Sequence, residues 1–209
     1  MRDYSALDHF LSHSERGIRA MFALFSIGTE TKPQTEDNLS IDGKIKSARL
    51  MRVNHAGEVA AQGLYHGQAL TARSNTVRQQ MKHCALEEQA HLDWCEKRLA
   101  ELADHPSTLT PAWYLGSYAI GAAVGILGDK WSLGFISETE RQVVKHLDQH
   151  LSRLPPHDEK SRQILLRMRE DEARHDKSAQ DAGAIQLPGP ARHAMSTVSK
   201  IMTTTAYWI

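Results

Sequence analysis

Glu88-x-x-His91, within "EEQAHLDW", and Glu172-x-x-His175, within "DEARHDKS", write one charged tetrad at two distant places in the chain. On a helix, residues i and i+3 share a face, so each tetrad delivers a carboxylate and an imidazole to one point. Each tetrad also interrupts an apolar stripe. The first stripe reads Val77, Met81, Cys84, Glu88, His91, Cys95, Leu99, Leu102, and the second Leu165, Met168, Glu172, His175, Ala179, Ala182. Two more glutamates are set the same way: Glu140 among Leu133, Ile136, Val143, Leu147, Leu151 and Leu154, and Glu58 among Met51, Ala61, Tyr65 and Ala72. An unpaired carboxylate in a dry core costs several kcal/mol, and neighbouring carboxylates repel one another. Two divalent cations would neutralise four of them, and mixed oxygen and nitrogen donors suit iron or manganese.

A lone Glu-x-x-His is an ordinary pattern of a solvated helix. Here two occur in phase, each preceded by a core-facing glutamate at a similar distance, Glu58 before Glu88 and Glu140 before Glu172. Such a set is the one that builds a carboxylate-bridged di-metal centre inside a helical bundle. The acids off the stripes, such as Glu87, Glu96 and Glu170, are expected to pair at the surface.

The elements that must position these residues are helices. Amphipathic periodicity predicts four, at 46–73, 75–102, 129–154 and 157–182. Ser74-Asn75 breaks the first pair, and "LPPHDEKS" the second, with Asp158 available as a cap. Short links make antiparallel hairpins, and the uncharged stretch "PSTLTPAWYLGSYAIGAAVGILG" (106–128) joins them as a long crossover. The expected fold is therefore all-α, a ferritin-like four-helix bundle with a long apolar crossover and extra terminal helices. Residues 1–40 are expected to form an N-terminal extension, with a peripheral helix over 3–25 and a polar loop, and 41–209 the bundle domain ending in a short helix after "LPGP".

Composition narrows the function further. Lys plus Arg and Asp plus Glu are equal at 25 each, without a basic run, so no nucleic-acid partner is expected. Cys84 and Cys95 lie on one helix, too far apart to bridge, which fits a reducing cytosol. The N-terminal "MRDYSALDHFLSHSERG" carries charges where a signal peptide needs an apolar core.

Over residues 45–209 the chain resembles the demethoxyubiquinone hydroxylases of ubiquinone biosynthesis. The resemblance rests on "RVNHAGEVAAQGLYHGQ" (52–68), both Glu-x-x-His stretches, "ETERQVVKHL" (138–147) and the "MSTVSKIMTTTAYWI" tail. It implies an O2-dependent di-iron monooxygenase that hydroxylates the ring of a polyprenyl 6-methoxy benzoquinol. The implied iron ligands are Glu58, Glu88, His91, Glu140, Glu172 and His175, for two iron ions per chain. Glu138 competes with Glu140, but heptad phase and the distance to His146 favour Glu140. His55 and His146 read equally as hydrogen-bond partners or proton carriers beside the metals and as satisfied or solvent-facing histidines. Tyr65 shares the face of Glu58 and could donate to a ligand carboxylate or pack in the core.

The resemblance also implies partners: a membrane-resident quinol, O2, the membrane surface, a reduced nicotinamide or other electron donor, other ubiquinone-biosynthesis proteins and a homo-oligomer. It places the protein peripherally on the cytoplasmic side of the bacterial inner membrane. Residues 111–128, with Trp113 and Tyr114 at one end, suit a dip into the bilayer interface, and "GAAVG" (121–125) suits close approach of another helix. Asp129 and the charged helix after it disfavour a full span. The rival within this fold is a ferritin-like iron-handling or peroxidase protein. A membrane-associated scaffold with a purely structural metal is the rival outside enzymology.

Overall fold

The computed structural model describes residues 39–209, so the expectations for the N-terminal helix and polar loop lie outside the described residues. Six helices follow in order: α1 (Ile41–Thr71), α2 (Asn75–Glu101), α3 (Thr110–Leu127), α4 (Asp129–Arg153), α5 (Glu159–Asp181) and α6 (Gly189–Trp208). Their starts are set by local chemistry. Ser40, Ser74 and Asp158 cap α1, α2 and α5 by accepting from the backbone N–H groups of Gly43, Thr76 and Ser161. Pro111 and Pro190 occupy the first turns of α3 and α6, where a missing N–H costs nothing. The α1 start lies ahead of the expected residue 46 because Ile41 and Ile45 are exposed, leaving no apolar stripe to mark that first turn.

α1, α2, α4 and α5 form the bundle. Two apolar clusters fill its interior at different levels. One gathers Ala61, Tyr65, Met81, Cys84, Leu133, Ile136 and Ala179. The other gathers Met51, Cys95, Leu99, Leu147, Leu165 and Met168. On every bundle helix the chemically notable glutamate falls between the residues given to the two clusters. The polar layer is thus sealed above and below by apolar side chains.

Polar ties fix the hairpins to each other. The Asp129 carboxylate accepts from the backbone N–H groups of Arg73 and Ser74, at 2.9 and 2.8 Å, holding the α1–α2 turn against the start of α4. Arg98 is buried and donates to Asp158 at 2.8 Å, to Ser161 at 2.9 Å and to Glu101 at 3.0 Å, joining the end of α2 to the start of α5. Asp158 therefore both caps a helix and neutralises a buried guanidinium.

The crossover α3 lies against α1, outside the four-helix interior. Glycine makes the approach: a Cβ on Gly121 would overlap the Leu64 carbonyl oxygen, and one on Gly67 would overlap that of Tyr118. Only Thr110, Gly121 and Gly125 of α3 are buried. Leu115, Ile120, Ile126 and Leu127 are each at least 40% exposed. α6 also packs on α1, with Ala206 against Val53 and Ala56 and with Tyr207 and Trp113 at the edge of that contact, while Val198, Ile201 and Trp208 stay exposed. No helix among the described residues is long and apolar enough to cross a membrane.

Candidate metal centre

Each of the four bundle helices brings its part of the site inward at one level. Glu58, Glu88, His91, Glu140, Glu172 and His175 are each no more than 5% exposed. They form two overlapping groups of four, in each of which the donor atoms lie within 4.8 Å of one another. The first is Glu58, Glu88, His91 and Glu172, and the second is Glu88, Glu140, Glu172 and His175. Glu88 and Glu172 are common to both. Each position so defined has its own glutamate and histidine, Glu58 with His91 from the first hairpin and Glu140 with His175 from the second.

Both imidazoles present Nδ1 to this interior. His91 Nδ1 lies 3.1 Å from Glu88 and from Glu172, and 3.5 Å from Glu58. His175 Nδ1 lies 3.2 Å from Glu172 and 3.5 Å from Glu88. Burial opposes charge on His91, but hydrogen bonds to Glu172, Glu58 and Glu88 outweigh it and raise its pKa. The pKa of His175 is raised by Glu172 and Glu87 against the same burial. Glu88 and Glu140 are held well above the usual carboxylate range, by burial first and then by the neighbouring carboxylates. Burial pushes Glu172 the same way, yet bonds from His175 and His91 leave it below the ordinary value.

The donor set fits divalent metal. Glu88 Oε1 and Glu172 Oε1 are buried without a well-aligned hydrogen bond, although imidazole nitrogens lie near both. Buried oxygens without donors are rare, and a bridging pair facing two cations would satisfy them. Tyr65 donates its hydroxyl to Glu140 Oε1. Burial and then Glu140 push the Tyr65 hydroxyl well above its ordinary value, which keeps it a donor. Burial, and then the carboxylates of Glu88 and Glu87, likewise push the Cys84 thiol up to about 12.

The outer nitrogens are where sequence reasoning fell short. His91 Nε2 meets Asp171 Oδ2 at 3.2 Å, and His175 Nε2 meets Glu87 Oε2 at 3.0 Å. Asp171 precedes Glu172 and Glu87 precedes Glu88, so each tetrad's leading acid braces the histidine of the other tetrad. Glu87, expected to pair at the surface, does so with His83 but also reaches inward to His175, since its off-stripe direction aims across the bundle at α5. The acidic doublets "EE" and "DE" were the only signal. The two braces differ. Asp171 is held by Arg174 at 2.5 Å and approached by Arg167 at 3.5 Å, and its pKa stays low against burial through bonds from His91 and Arg174. Glu87 is instead partly exposed and meets the exposed His83 at 3.0 Å.

Other expected residues fall elsewhere. His55 is buried with its Nε2 3.2 Å from Glu96, the acid expected to pair at the surface. The His146 and His150 rings are tilted by 57° with centroids 3.9 Å apart, and His150 Nδ1 lies 2.9 Å from the Asn54 side-chain oxygen. Neither His55 nor His146 belongs to the two groups of donors. Glu138 turns from the interior to Arg141, at 3.1 Å, and Gln142, at 2.9 Å.

Residues 45–206 match the family model of ubiquinone biosynthesis protein COQ7. The chain belongs to the COQ7 family. Within it, the 3-demethoxyubiquinol 3-hydroxylase of Acinetobacter baylyi is 47% identical over 211 residues, covering 100% of both chains. That of Nitrosococcus oceani is 49% identical, covering 100% of this chain and 99% of the relative. The enzyme of the same name from Ralstonia pickettii is 49% identical over 97% of this chain and 100% of the relative. Among solved structures, the dodecameric thioferritin of Bacteroides fragilis superposes with a TM-score of 0.56 at 18% identity, covering 70% of this chain and 87% of that one. At that identity the likeness speaks for the fold alone. This COQ7-family chain is all-helical over the described residues and ferritin-like in architecture.

Proposed function

We propose that the chain is a 3-demethoxyubiquinol 3-hydroxylase, placing one oxygen atom of O2 on the ring of a polyprenyl methoxy-benzoquinol with two iron ions per chain. The observation that carries this reading is the pair of donor groups sharing Glu88 and Glu172, in a chain alike over its full length to enzymes of that name. Glu58 with His91 would hold one ion, Glu140 with His175 the other, and Glu88 and Glu172 would span both. When bound, the ions supply the redox chemistry that O2 activation needs.

The protein's own residues do the rest. Asp171 and Glu87 accept from Nε2–H, so that metal displacing the Nδ1 proton would meet each Nδ1 lone pair turned inward. Tyr65 holds Glu140 in place from the apolar side. The two apolar clusters bound the layer above and below. The remaining oxygen atom leaves as water, with two electrons from a reduced nicotinamide or another donor and two protons from solvent. The exposed apolar residues of α3 and α6 suit the membrane interface in which an isoprenoid substrate resides and support peripheral attachment; the side we assign is the cytoplasmic face of the bacterial inner membrane.

The test couples metal content to product. The purified protein is assayed for iron, reduced without oxygen, and given labelled O2 with a demethoxyubiquinol analogue. Two irons per chain and one labelled oxygen in the quinol ring are expected. O2 uptake with an unlabelled ring would move the reading to ferritin-like iron handling, and absence of iron would remove the di-metal assignment.

A further inference from the structure

The two ends of the candidate metal centre do not meet solvent alike. At the His91 end, Nε2 is covered by Asp171, Asp171 is in turn held between Arg174 and Arg167, and the Trp94 ring lies 5.2 Å from that of His91. Arg174 also lines the cleft at the other end and lies 3.9 Å from Glu87, so Arg167 is the guanidinium peculiar to the His91 end. At the His175 end a cleft of about 470 Å³ reaches the imidazole from outside, lined by Gln80, His83, Cys84, Glu87, His175 and Ser178 among others. Its basic members are engaged, Arg174 by Asp171 at 2.5 Å and Lys177 by Asp181 at 2.9 Å. Every residue of that lining carries a polar or ionisable side chain, which suits a hydrated ion.

Three donors of different chemistry converge at the floor of this cleft. A Cys84, a Glu87 and a His175 donor atom all lie within 4.8 Å of one another. Cys84 is 7% exposed, yet it lines the opening, and Tyr65, the partner of Glu140, interacts with its sulfur. The thiol therefore stands between solvent and the interior carboxylates. Soft sulfur, imidazole nitrogen and carboxylate oxygen together bind first-row divalent metals.

We infer that this cleft is the port by which divalent metal enters, and that Cys84 Sγ, a Glu87 carboxylate oxygen and His175 Nε2 form a staging site before the interior. The inference rests on the di-metal reading of the interior. On binding, the thiol releases its proton to solvent and the sulfur coordinates as thiolate. The Glu87 carboxylate swings from its bond with His175 to the ion. A neutral imidazole holds metal at one nitrogen while the other carries the proton. The staging site and the interior position beside His175 therefore fill in turn, with the ring proton changing sides and the thiolate regaining a proton from solvent as the ion moves inward.

Cobalt(II) tests this without an activity assay, because the interior donors are oxygen and nitrogen only. Metal-free protein is mixed rapidly with Co2+ and followed in the near ultraviolet, where thiolate-to-cobalt charge transfer absorbs. The band should rise early and fall as cobalt moves to the interior. Cys84→Ser should lack the band and load several-fold more slowly while reaching the same final cobalt content. Cys95→Ser should keep the band, and far-ultraviolet circular dichroism checks that each variant is folded. Two cobalt ions taken up per chain with no thiolate band at any time would overturn the port and leave the interior reading standing. So would a Cys84→Ser protein that loads at the wild-type rate. Failure of the wild type to take up any cobalt would overturn both.

Discussion

Asp171→Asn perturbs one metal position from outside while leaving all six inward-facing donors in place. Asp171 Oδ2 accepts from His91 Nε2 at 3.2 Å, while its other oxygen is engaged by Arg174 at 2.5 Å. Asparagine keeps the shape but has one acceptor and one NH2 group. If the oxygen serves His91, the NH2 faces a guanidinium; if it serves Arg174, the NH2 faces the imidazole N–H. His91 then loses the partner that fixes which nitrogen carries the proton. Removing such an outer partner lowers metal affinity about 10–100-fold, or about 1.4–2.7 kcal/mol. Without metal, losing a hydrogen bond to a charged group should cost about 1–3 kcal/mol of stability. Anaerobic competition for Fe2+ against a chromophoric chelator reads the first quantity, and denaturant unfolding of metal-free protein reads the second. One of two ions should weaken and the other stay near its wild-type affinity. Both ions bound with wild-type affinity would refute the brace, and equal weakening of both would refute its assignment to His91 alone.

Four further outcomes follow from the packing and the charges. Gly67→Ala puts a methyl group into the Tyr118 carbonyl, so α3 must shift from α1. Overpacking of this kind costs about 1–3 kcal/mol, visible as a lowered thermal midpoint. Arg98→Met leaves Asp158 buried without its cation, and unfolding in urea should show a loss of about 3–5 kcal/mol. Tyr65→Phe should keep the fold and metal content but cost about 1–3 kcal/mol of stability, because a Glu140 oxygen loses its donor. The last outcome concerns pH. Burial, and then nearby cationic groups, lower His146 from 6.5 to about 4 and His150 from 6.5 to about 2. Below pH 6.5 the unfolded chain takes up protons that the folded chain refuses. Stability that is full above that pH is therefore lost as pH falls, by about 1.4 kcal/mol per pH unit for each histidine. Measured between pH 6 and 4.5, the slope for His150→Gln should be shallower than wild type by about that amount.

The bundle was legible because its helices are long and their stripes are broken by only a few polar residues. Leu, Met and Cys on both sides of Glu88 and His91 made the exception readable, and the structure buries these positions with their neighbours. The braces were not legible. Asp171 and Glu87 stand one residue before a stripe position, about 100° around the helix, where a heptad reading assigns solvent. Their partners are 80 and 88 residues away, so the contact exists only once α2 and α5 are packed together. The crossover was legible in part. "GAAVG" announced a close approach, but the receiving glycines Gly63 and Gly67 on α1 sit in a helix whose periodicity already had another explanation. The crossover reading set residues 106–128 apart from the four bundle helices, but nothing in them said that their helix would pack on α1. That position depends on the carbonyl oxygens of Tyr114, Tyr118 and Leu64 meeting glycines, which is a tertiary fact.

The exchange of acids between the two tetrads has a consequence for genetics. A lesion at Asp171 sits on α5 but acts through an imidazole carried by α2, and a lesion at Glu87 crosses in the opposite direction. In a deep mutational scan, changes at 171 should therefore show epistasis with changes at 91, and changes at 87 with changes at 175. A map drawn from sequence neighbourhood would group 171 with 172 and 175, and would assign each defect to the wrong hairpin.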